Sequence, residues 1–296
     1  MPPLIVEAVR LPFLTGSLMP VLVVAAWSWP PPWSGLVLCL LGVGCLHLGA
    51  NLINDYYDAK GSDPLNLRVT PFSGGSRVIQ QGRMSAGTVR LLALGFFAAG
   101  LACGLLLALW GRPWVLVLGA LGLAIGYFYS ATSKALMLHG LGEVAIFFAF
   151  GPLVTWGAGY VFTGHFSTAA FMLGLPQAWL ISAVLWINQF PDYQADRDSG
   201  KRNLVVRLGT SRSRLWYLVL MLLPLPSLVF LVEGLGLIPW LYLGLGFLPL
   251  AGKAISLAWR FHDQHDKLIP AQGITITSHL ALGGLMVVGL LLGRIW

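Results

Sequence analysis

The apolar stretch SGLVLCLLGVGCLHLGANLIN, residues 34–54, decides the fold. It contains no Asp, Glu, Lys or Arg, and it has the length of about 20 apolar residues that a helix needs to cross the hydrocarbon core of a bilayer. The charged sequence DYYD, residues 55–58, follows it directly. We therefore expect a membrane-spanning helix that carries carboxylates at one end.

The composition of the whole chain agrees with this interpretation. Of the 296 residues, 57% are apolar and only 10% are charged, and the mean hydropathy is +0.78. A soluble domain carries about 25% charged residues, so a water-soluble domain, a disordered chain and a secreted disulfide scaffold are all excluded. Three cysteines lie inside apolar runs without the spacing of a metal site and are expected to be buried thiols: Cys39, Cys45 and Cys103.

Nine apolar runs of this kind can be found along the chain. They predict an all-α, multi-pass membrane protein with nine transmembrane helices in a single bundle. We expect this bundle to be one membrane domain that covers residues 1–296. The runs are 11–30, 34–54, 88–111, 113–130, 140–163, 171–190, 213–232, 236–258 and 273–292.

Positive charge is distributed unevenly along the chain, whose formal net charge is +7. Of the 18 Lys and Arg residues, all but Arg112 and Arg294 lie in the amino-terminal segment or around the loops after the second, fourth, sixth and eighth runs. The positive-inside rule then places the amino terminus and these loops in the cytoplasm, in a protein of the cell (inner) membrane. The charge is therefore mainly a topology signal, and nucleic acid is not an expected partner. Anionic lipid or a phosphorylated substrate can also use it.

Two segments at the ends of apolar runs share one arrangement of amide and carboxylate side chains. NLINDYYDAKGSD, residues 51–63, ends the second run, and NQFPDYQADRDSGK, residues 188–201, ends the sixth. In each segment an Asn precedes the first Asp by four residues, and a second Asp follows three or four residues later, so all three share one helical face. Because the segments lie four runs apart, their spacing suggests a pseudo-repeat of about four helices, 11–130 and 140–258.

Carboxylates at this spacing repel one another unless protons or a cation lie between them. Oxygen ligands of this kind suit Mg²⁺, which commonly takes one or two carboxylates and completes its shell with waters and substrate phosphates. Two such segments are able to hold two ions that clamp one pyrophosphate, and Mn²⁺ is expected to substitute for Mg²⁺. The alternative is a pair of solvated juxtamembrane loops, which the match between the two segments disfavours.

Three nearby elements add positive charge or backbone donors to the same region. The sequence GGSR, residues 74–77, offers N–H groups and a guanidinium to a phosphate, and Lys201 and Arg202 follow the second acidic segment. Lys134 is the only charge in the short loop after the fourth run. Two interpretations of Lys134 stay open: an anchor at the membrane interface, or a cation that contacts the pyrophosphate.

At this point the sequence resembles the UbiA superfamily of intramembrane aromatic prenyltransferases over essentially its whole length. The resemblance rests on the nine runs, the Asn-Asp-x-x-Asp pattern at residues 54–58 and the Asp-x-x-x-Asp pattern at residues 192–196. Within the superfamily, GGSRVIQQG, residues 74–82, and DRDSGKRNLVVRLG, residues 196–209, are most similar to the menaquinone branch. Members of that branch prenylate 1,4-dihydroxy-2-naphthoate.

The sequence departs from the family pattern at two positions. Asp63 lies five residues after Asp58, whereas other branches place a third Asp four residues after it. Arg77 follows Gly-Gly-Ser, whereas some menaquinone members have Gly-Pro-x-Arg. The first departure concerns the metal role of Asp63, and the second concerns the identity of the acceptor.

The resemblance implies transfer of a polyprenyl group from an allylic pyrophosphate to an aromatic acceptor, with two Mg²⁺ ions as cofactors. The implied metal ligands are Asp55, Asp58, Asp192 and Asp196, which are also implied to be catalytic together with Lys134. The implied substrate-binding residues are Asn51, Asn54 and Asn188 as neutral partners of the metal, Arg77 and Lys201 at the pyrophosphate, and Tyr57, Tyr129 and Tyr193 near the allylic cation. Arg10, just ahead of the first run, is either a topology charge or a further substrate contact.

Several other ionisable residues have no firm assignment. We expect His47 to make a satisfied polar contact, since it lies in an apolar run four residues before Asn51. Glu143 lies in the fifth run, where it is either functional or paired with another helix. The roles of Asp63 and Asp198 stay open.

The function has two kinds of alternative. One keeps the superfamily and changes the acceptor to a hydroxybenzoate, homogentisate, haem, chlorophyllide or a glycerol-phosphate lipid. The other is a cation-coupled transporter, which the position of the carboxylates at helix ends disfavours because transporters bind coupling ions near the bilayer midplane. The sequence determines neither the prenyl chain length nor the oligomeric state.

Overall fold

A computed structural model describes residues 4–131 and 135–295, and this described part is helical with no β-strand. Its α-helices are α1 (Leu4–Ala8), α2 (Thr15–Trp27), α3 (Trp33–Asp58), α4 (Ala86–Leu109), α5 (Val115–Phe128), α6 (Gly142–Ala149), α7 (Pro152–Thr163), α8 (Thr168–Leu173), α9 (Leu175–Asp198), α10 (Leu204–Leu208), α11 (Thr210–Leu222), α12 (Pro224–Val229), α13 (Leu248–Phe261) and α14 (His265–Leu292). Short 3₁₀ segments lie at Leu11–Leu14, Asp63–Leu65, Leu136–Leu138 and Pro239–Phe247, and a π-helical turn at Phe230–Gly234. The prediction of an all-α membrane protein is confirmed.

Seven helical segments of the described residues are long and apolar enough to cross a membrane. They are Trp33–Asp58, Ala86–Leu109, Gly142–Thr163, Thr168–Asp198, Thr210–Gly234, Pro239–Phe261 and His265–Leu292. The expected count of nine is not confirmed, because the runs 11–30 and 113–130 form the shorter apolar helices Leu11–Trp27 and Val115–Phe128. The first of these helices ends at Trp27, shortly before a run of prolines, and the second ends at Phe128, directly before Tyr129. At 1.5 Å per residue, the 14 residues of α5 are too short to cross a bilayer core of about 30 Å.

Two of the predicted runs are broken helices whose breaks contact each other. Gly151 separates α6 from α7, and Gly174 separates α8 from α9. A Cβ atom at Gly151 would lie 2.4 Å from the Cβ of Ala178, and one at Gly174 would lie 2.6 Å from the carbonyl carbon of Gly151. Only glycine permits this approach, in a region where α6 packs against α9 and α7 packs against α8.

The two acidic segments are helical continuations of the apolar runs. Helix α3 continues past the predicted boundary at residue 54 to Asp58, and α9 continues past residue 190 to Asp198 with Pro191 inside it. Helix α3 packs against α2, α4 and α5, whereas α9 packs against α6, α11 and α14. The carboxylates are therefore held on the last turns of two long, packed helices.

Candidate active site

A cavity of about 370 Å³ lies between α3, α5, α7, α9 and the loop that follows α3. Most of its wall is apolar, from residues such as Leu46, Leu107, Leu118 and Ile181. Polar side chains line its other end: Arg10, Asn51, Asn54, Asp58, Asp63, Asn66, Tyr129, Asn188, Asp192, Asp196, Lys201 and Asn203. Such a cavity fits an amphiphilic molecule with a charged head and an apolar tail.

Lys201 joins the two acidic segments. Its Nζ lies 3.0 Å from Oδ1 of Asp58 and 3.5 Å from Oδ1 of Asp196. Asn54 donates a hydrogen bond of 3.1 Å to the other oxygen of Asp58. Burial alone would lower the pKa of Lys201, but the carboxylates of Asp58 and Asp196 outweigh burial and raise the pKa above its ordinary value. The ammonium is therefore charged at neutral pH, and the residues that were predicted separately from two segments form one cluster.

Two asparagines that sequence analysis missed hold the second acidic segment. Asn66 donates to Oδ1 of Asp192 at 2.7 Å, and Asn203 donates to Oδ2 of Asp196 at 2.8 Å. Both asparagines are buried and lie in the loops after α3 and α9. Their nearness to the acidic residues along the chain is a weak signal, because a loop has no fixed period that would predict which way a side chain points.

Asp55 is buried under the loop that contains Gly75, away from the cavity as the described residues outline it. The backbone N–H of Ser76 donates to its Oδ2 at 3.1 Å, whereas its Oδ1 has no hydrogen-bond partner among the described residues. Gly75 adopts φ = +75°, and a Cβ atom there would lie 3.3 Å from that unpartnered oxygen. The glycine thus lets the loop backbone close over a carboxylate that retains a free acceptor.

Asp63 lies beside Asp55 and is tied to the same loop. Gln80 donates to its Oδ2 at 2.6 Å, and Arg77 donates to its backbone oxygen at 2.5 Å. Burial, together with the carboxylates of Asp58 and Asp55, raises the pKa of Asp63 to about 7. A carboxyl group with this pKa is partly protonated at neutral pH, mainly because it is buried.

The two arginines that were predicted to bind substrate differ in position. Arg10 lines the cavity, and its guanidinium donates to the backbone oxygen of Phe72 at 3.2 Å. Arg77 has φ = +64°, and its guanidinium contacts the loop at Asp63 rather than the cavity. Arg10 is therefore in place for a substrate contact, whereas in this structure Arg77 holds the loop.

The three predicted tyrosines also separate. Tyr129 lines the cavity. The hydroxyl of Tyr57 lies 3.4 Å from that of Tyr127, and the guanidinium of Arg197 lies 5.8 Å from the ring centre of Tyr193, both away from the cavity outlined by the described residues. Only Tyr129 is placed to face a bound substrate.

The remaining predicted residues are placed as follows. Asn51 donates to the backbone oxygen of Val9 at 3.1 Å, and Asn188 accepts a hydrogen bond of 3.0 Å from Gln272. Lys134 lies outside the described residues.

The ionisable residues without a firm assignment all make contacts within the protein. His47 lies 2.8 Å from the hydroxyl of Ser17 through its Nδ1, which is the satisfied polar contact that we expected. Asp198 is exposed and accepts a hydrogen bond of 2.8 Å from Gln194. Glu143 is buried and accepts hydrogen bonds from α9 and α10.

The carboxylate and amide oxygens of the acidic segments are suitable ligands for a hard divalent cation. Among the residues described, no three His, Cys, Asp or Glu side chains come close enough to ligate one ion on their own. The available atoms are nonetheless all oxygens, from carboxylates and amides, and Oδ1 of Asp55 is buried without a partner in the described part of the chain. Mg²⁺ accepts such a partial set, because waters and substrate phosphates complete its shell.

A helical membrane bundle with a charged cluster at one end of an apolar cavity is built to bind amphiphilic molecules. The chain belongs to the UbiA prenyltransferase family, whose model matches residues 17–279, and it is a prenyltransferase. The family resemblance predicted from the sequence is confirmed.

Two relatives are 1,4-dihydroxy-2-naphthoate octaprenyltransferases. The one from Mycobacterium tuberculosis is 33% identical over 232 residues, which cover 78% of this chain and 76% of the relative. The one from Escherichia coli is 30% identical over 304 residues, which cover 97% of this chain and 95% of the relative.

Solved structures agree in fold. The apo structure of a UbiA homologue from Aeropyrum pernix K1 matches with a TM-score of 0.74 at 19% identity, over 93% of this chain and 97% of the homologue. The structure of a UbiA homologue from Archaeoglobus fulgidus bound to DMAPP and Mg²⁺ matches with a TM-score of 0.61 at 15% identity, over 96% and 99% of the two chains.

Proposed function

We propose that this protein transfers a polyprenyl group from an allylic pyrophosphate to 1,4-dihydroxy-2-naphthoate, a step of menaquinone biosynthesis, with Mg²⁺ as cofactor. The observation that carries the proposal is the meeting of the two acidic segments, through Lys201, at one end of an apolar cavity. The names of the relatives from Mycobacterium tuberculosis and Escherichia coli support the naphthoate acceptor. Membership in a prenyltransferase family disfavours the alternative of a cation-coupled transporter.

The reaction breaks one carbon–oxygen bond and one carbon–carbon bond, and it forms one new carbon–carbon bond. The bond between the allylic carbon and the pyrophosphate oxygen breaks, and its electron pair leaves with the pyrophosphate. A carbon of the electron-rich naphthoate ring then bonds to the allylic cation. The carboxylate on that carbon leaves as CO₂, and its bonding electrons restore the aromatic ring.

Residues at the polar end of the cavity bind the pyrophosphate and the metal. Asp58, Asp192 and Asp196 line the cavity, and together with Asp55 they would hold two Mg²⁺ ions, with Asn51, Asn54 and Asn188 as neutral partners. When bound, Mg²⁺ neutralises the charge that develops on the leaving pyrophosphate, and Mn²⁺ is expected to do the same.

Side chains of this protein supply the remaining positive charge and the apolar surroundings. Lys201 and Arg10 line the cavity and offer charge-assisted hydrogen bonds to phosphate oxygens, and we assign the same role to Lys134 and to Arg77 after a movement of its loop. Tyr129 presents an aromatic ring to the allylic cation. The apolar wall accommodates the polyprenyl tail and excludes water that would otherwise capture the cation.

We place the acidic end of the bundle in the cytoplasm of the cell that makes the protein, with the amino terminus on the same side of its inner membrane. The distribution of Lys and Arg around the loops supports this orientation. A soluble aromatic acid and a pyrophosphate head group would both reach the cluster from that side.

The proposal is tested by product formation in a membrane preparation with a polyprenyl pyrophosphate and Mg²⁺. The acceptors supplied one at a time are 1,4-dihydroxy-2-naphthoate, a hydroxybenzoate, homogentisate, haem, chlorophyllide and a glycerol-phosphate lipid. We expect a prenylated product with the naphthoate, together with release of pyrophosphate and CO₂. Product from another acceptor and none from the naphthoate would contradict the proposed acceptor, but the assignment of prenyltransferase activity would stand.

A further inference from the structure

Glu143 ties three helices together through one carboxylate oxygen. It lies in the first turn of α6 and is 6% exposed. Its Oε1 accepts a hydrogen bond of 3.1 Å from Nε2 of Gln189 on α9 and one of 3.0 Å from the backbone N–H of Leu204, the first residue of α10. A buried carboxylate is costly in a membrane bundle, so these two bonds require an explanation beyond packing.

Both donors lie next to the charged cluster. Gln189 lines the cavity three residues before Asp192. Leu204 directly follows Asn203, which donates to Asp196, and lies three residues after Lys201. Glu143 therefore contacts the chain on both sides of the stretch from Asp192 to Lys201.

The loop from Gly200 to Asn203 has other attachments to the segment before α6. The backbone N–H of Arg202 donates to the oxygen of Leu138 at 3.2 Å, and the exposed guanidinium of Arg207 donates to the oxygen of His139 at 2.8 Å. Those two bonds have backbone carbonyl oxygens as acceptors, whereas the bond from Leu204 has the buried carboxylate of Glu143 as its acceptor. Hydrogen bonds to carboxylates are stronger than those to neutral groups.

We propose that Glu143 is a positioning residue for the prenyl transfer: it holds the segment with Lys201 and Asn203 against Asp58 and Asp196. This inference rests on the proposed function, because it takes the charged cluster as the site of the pyrophosphate. Glu143 is not among the described residues that line the cavity, and it acts through Gln189 and the start of α10.

The first test compares two substitutions of Glu143. Glu143→Ala removes the acceptor of both bonds, and we expect kcat to fall about 10- to 100-fold, as when an outer partner of a metal site is removed. The KM for the aromatic acceptor should change little, because the polar end of the cavity loosens while its apolar wall stays intact. Glu143→Gln keeps one carbonyl oxygen for both donors and should retain kcat within about threefold.

The second test removes the same bond from its donor side and does not depend on the folding of Glu143→Ala. Leu204→Pro has no N–H to give, yet proline suits the first position of a helix, and Asn203 before it has the extended φ of −60° and ψ of 167° that a following proline requires. Leu204→Ala loses most of the side chain but keeps the N–H. We expect kcat of the Pro variant to be about tenfold below that of the Ala variant.

Two controls separate positioning from general stability and from the proposed function. Tyr217→Phe removes a buried hydrogen bond to Thr275 outside the cavity and should lower the thermal unfolding temperature with kcat unchanged. Asp196→Ala should abolish turnover. An active Asp196→Ala enzyme would overturn the proposed site itself. With Asp196→Ala inactive, the inference on Glu143 is overturned if Glu143→Gln is as slow as Glu143→Ala, or if Leu204→Pro and Leu204→Ala have equal kcat.

Discussion

At the scale of single residues, the two acidic segments make different contacts but are expected to be equally necessary. Among the described residues, Asp55 has one oxygen without a hydrogen-bond partner under the loop that contains Gly75, and Asp192 lines the cavity with one oxygen bound to Asn66. In the proposed site, replacement of either by Ala would remove one carboxylate ligand from a different Mg²⁺ ion. We expect each to lower the rate of prenyl transfer about 10³-fold or more, because the charge on the leaving pyrophosphate is then poorly neutralised.

A matched control is available in the loop after α13. Asp263 is exposed, accepts a hydrogen bond from Thr210 and lies away from the cavity outlined by the described residues. Asp263→Ala should leave the rate within about twofold, as exposed substitutions usually do. Equal damage from Asp263→Ala and Asp55→Ala, measured in the same membrane preparation, would mean that the site has been placed at the wrong helix ends.

Periodicity explains which residues could be located from the sequence. Asp192 and Asp196 share a helical face with Asn188, and the structure indeed brings all three to the cavity. Periodicity does not locate every residue, because Tyr57 lies three residues after Asn54 and Tyr193 lies three residues before Asp196, and yet neither tyrosine is among the described residues that line the cavity. Asn66 and Asn203 could not be located this way, because both belong to loops whose course depends on tertiary contacts.

At the scale of helices, close packing at glycines positions α9 relative to α6 and α7. Gly151→Ala would place a methyl group 2.4 Å from Cβ of Ala178 and 2.8 Å from the backbone oxygen of Gly174. Neither the Cβ of Ala178 nor the backbone oxygen of Gly174 can rotate away, so the helices must separate. We expect a loss of about 1–3 kcal/mol in the free energy of unfolding.

The measurement is thermal unfolding of the purified protein in detergent. Gly95→Ala serves as the control, because Gly95 lies inside α4 and a Cβ atom added to it would meet no described atom within 4 Å beyond the neighbouring backbone of its own helix. The Gly95→Ala substitution should leave the unfolding temperature unchanged or raise it slightly, since alanine favours a helix more than glycine does. An unfolding temperature for Gly151→Ala equal to that of Gly95→Ala would show that the contact between the breaks is not tight in solution.

The helices themselves were largely predictable, and their breaks were not. Apolar length located each run, but hydropathy does not distinguish one continuous helix from two short helices in line, as in Gly142–Thr163 and Thr168–Asp198. Those breaks follow from contacts between Gly151 and Gly174, which lie far apart in sequence. Hydropathy also ended α3 and α9 too early, because their last turns are polar on the side that faces the cavity rather than lipid.

At the scale of the whole molecule, the charged cluster joins elements from both halves of the chain. The first acidic segment belongs to α3, the second to α9, and Lys201 is the side chain that contacts both through Asp58 and Asp196. The wider bundle is held by α14, which packs against α2 and α9. Any ligand that binds both acidic segments at once should therefore resist the separation of the two halves.

The last prediction concerns metal removal and uses this link between the halves. Prenyl transfer should vanish in EDTA and return with Mg²⁺ or Mn²⁺, because in the proposed site the carboxylate oxygens would hold these ions against the leaving pyrophosphate. Mg²⁺ and inorganic pyrophosphate together should also raise the thermal unfolding temperature, since a ligand that binds only the folded protein stabilises it by about 2.7 kcal/mol at 100 times its Kd. Asp192→Ala should reduce that stabilisation, whereas Asp263→Ala should preserve it. Full turnover in metal-free buffer would rule out a metal site built from the two acidic segments, whatever the stability measurement gave.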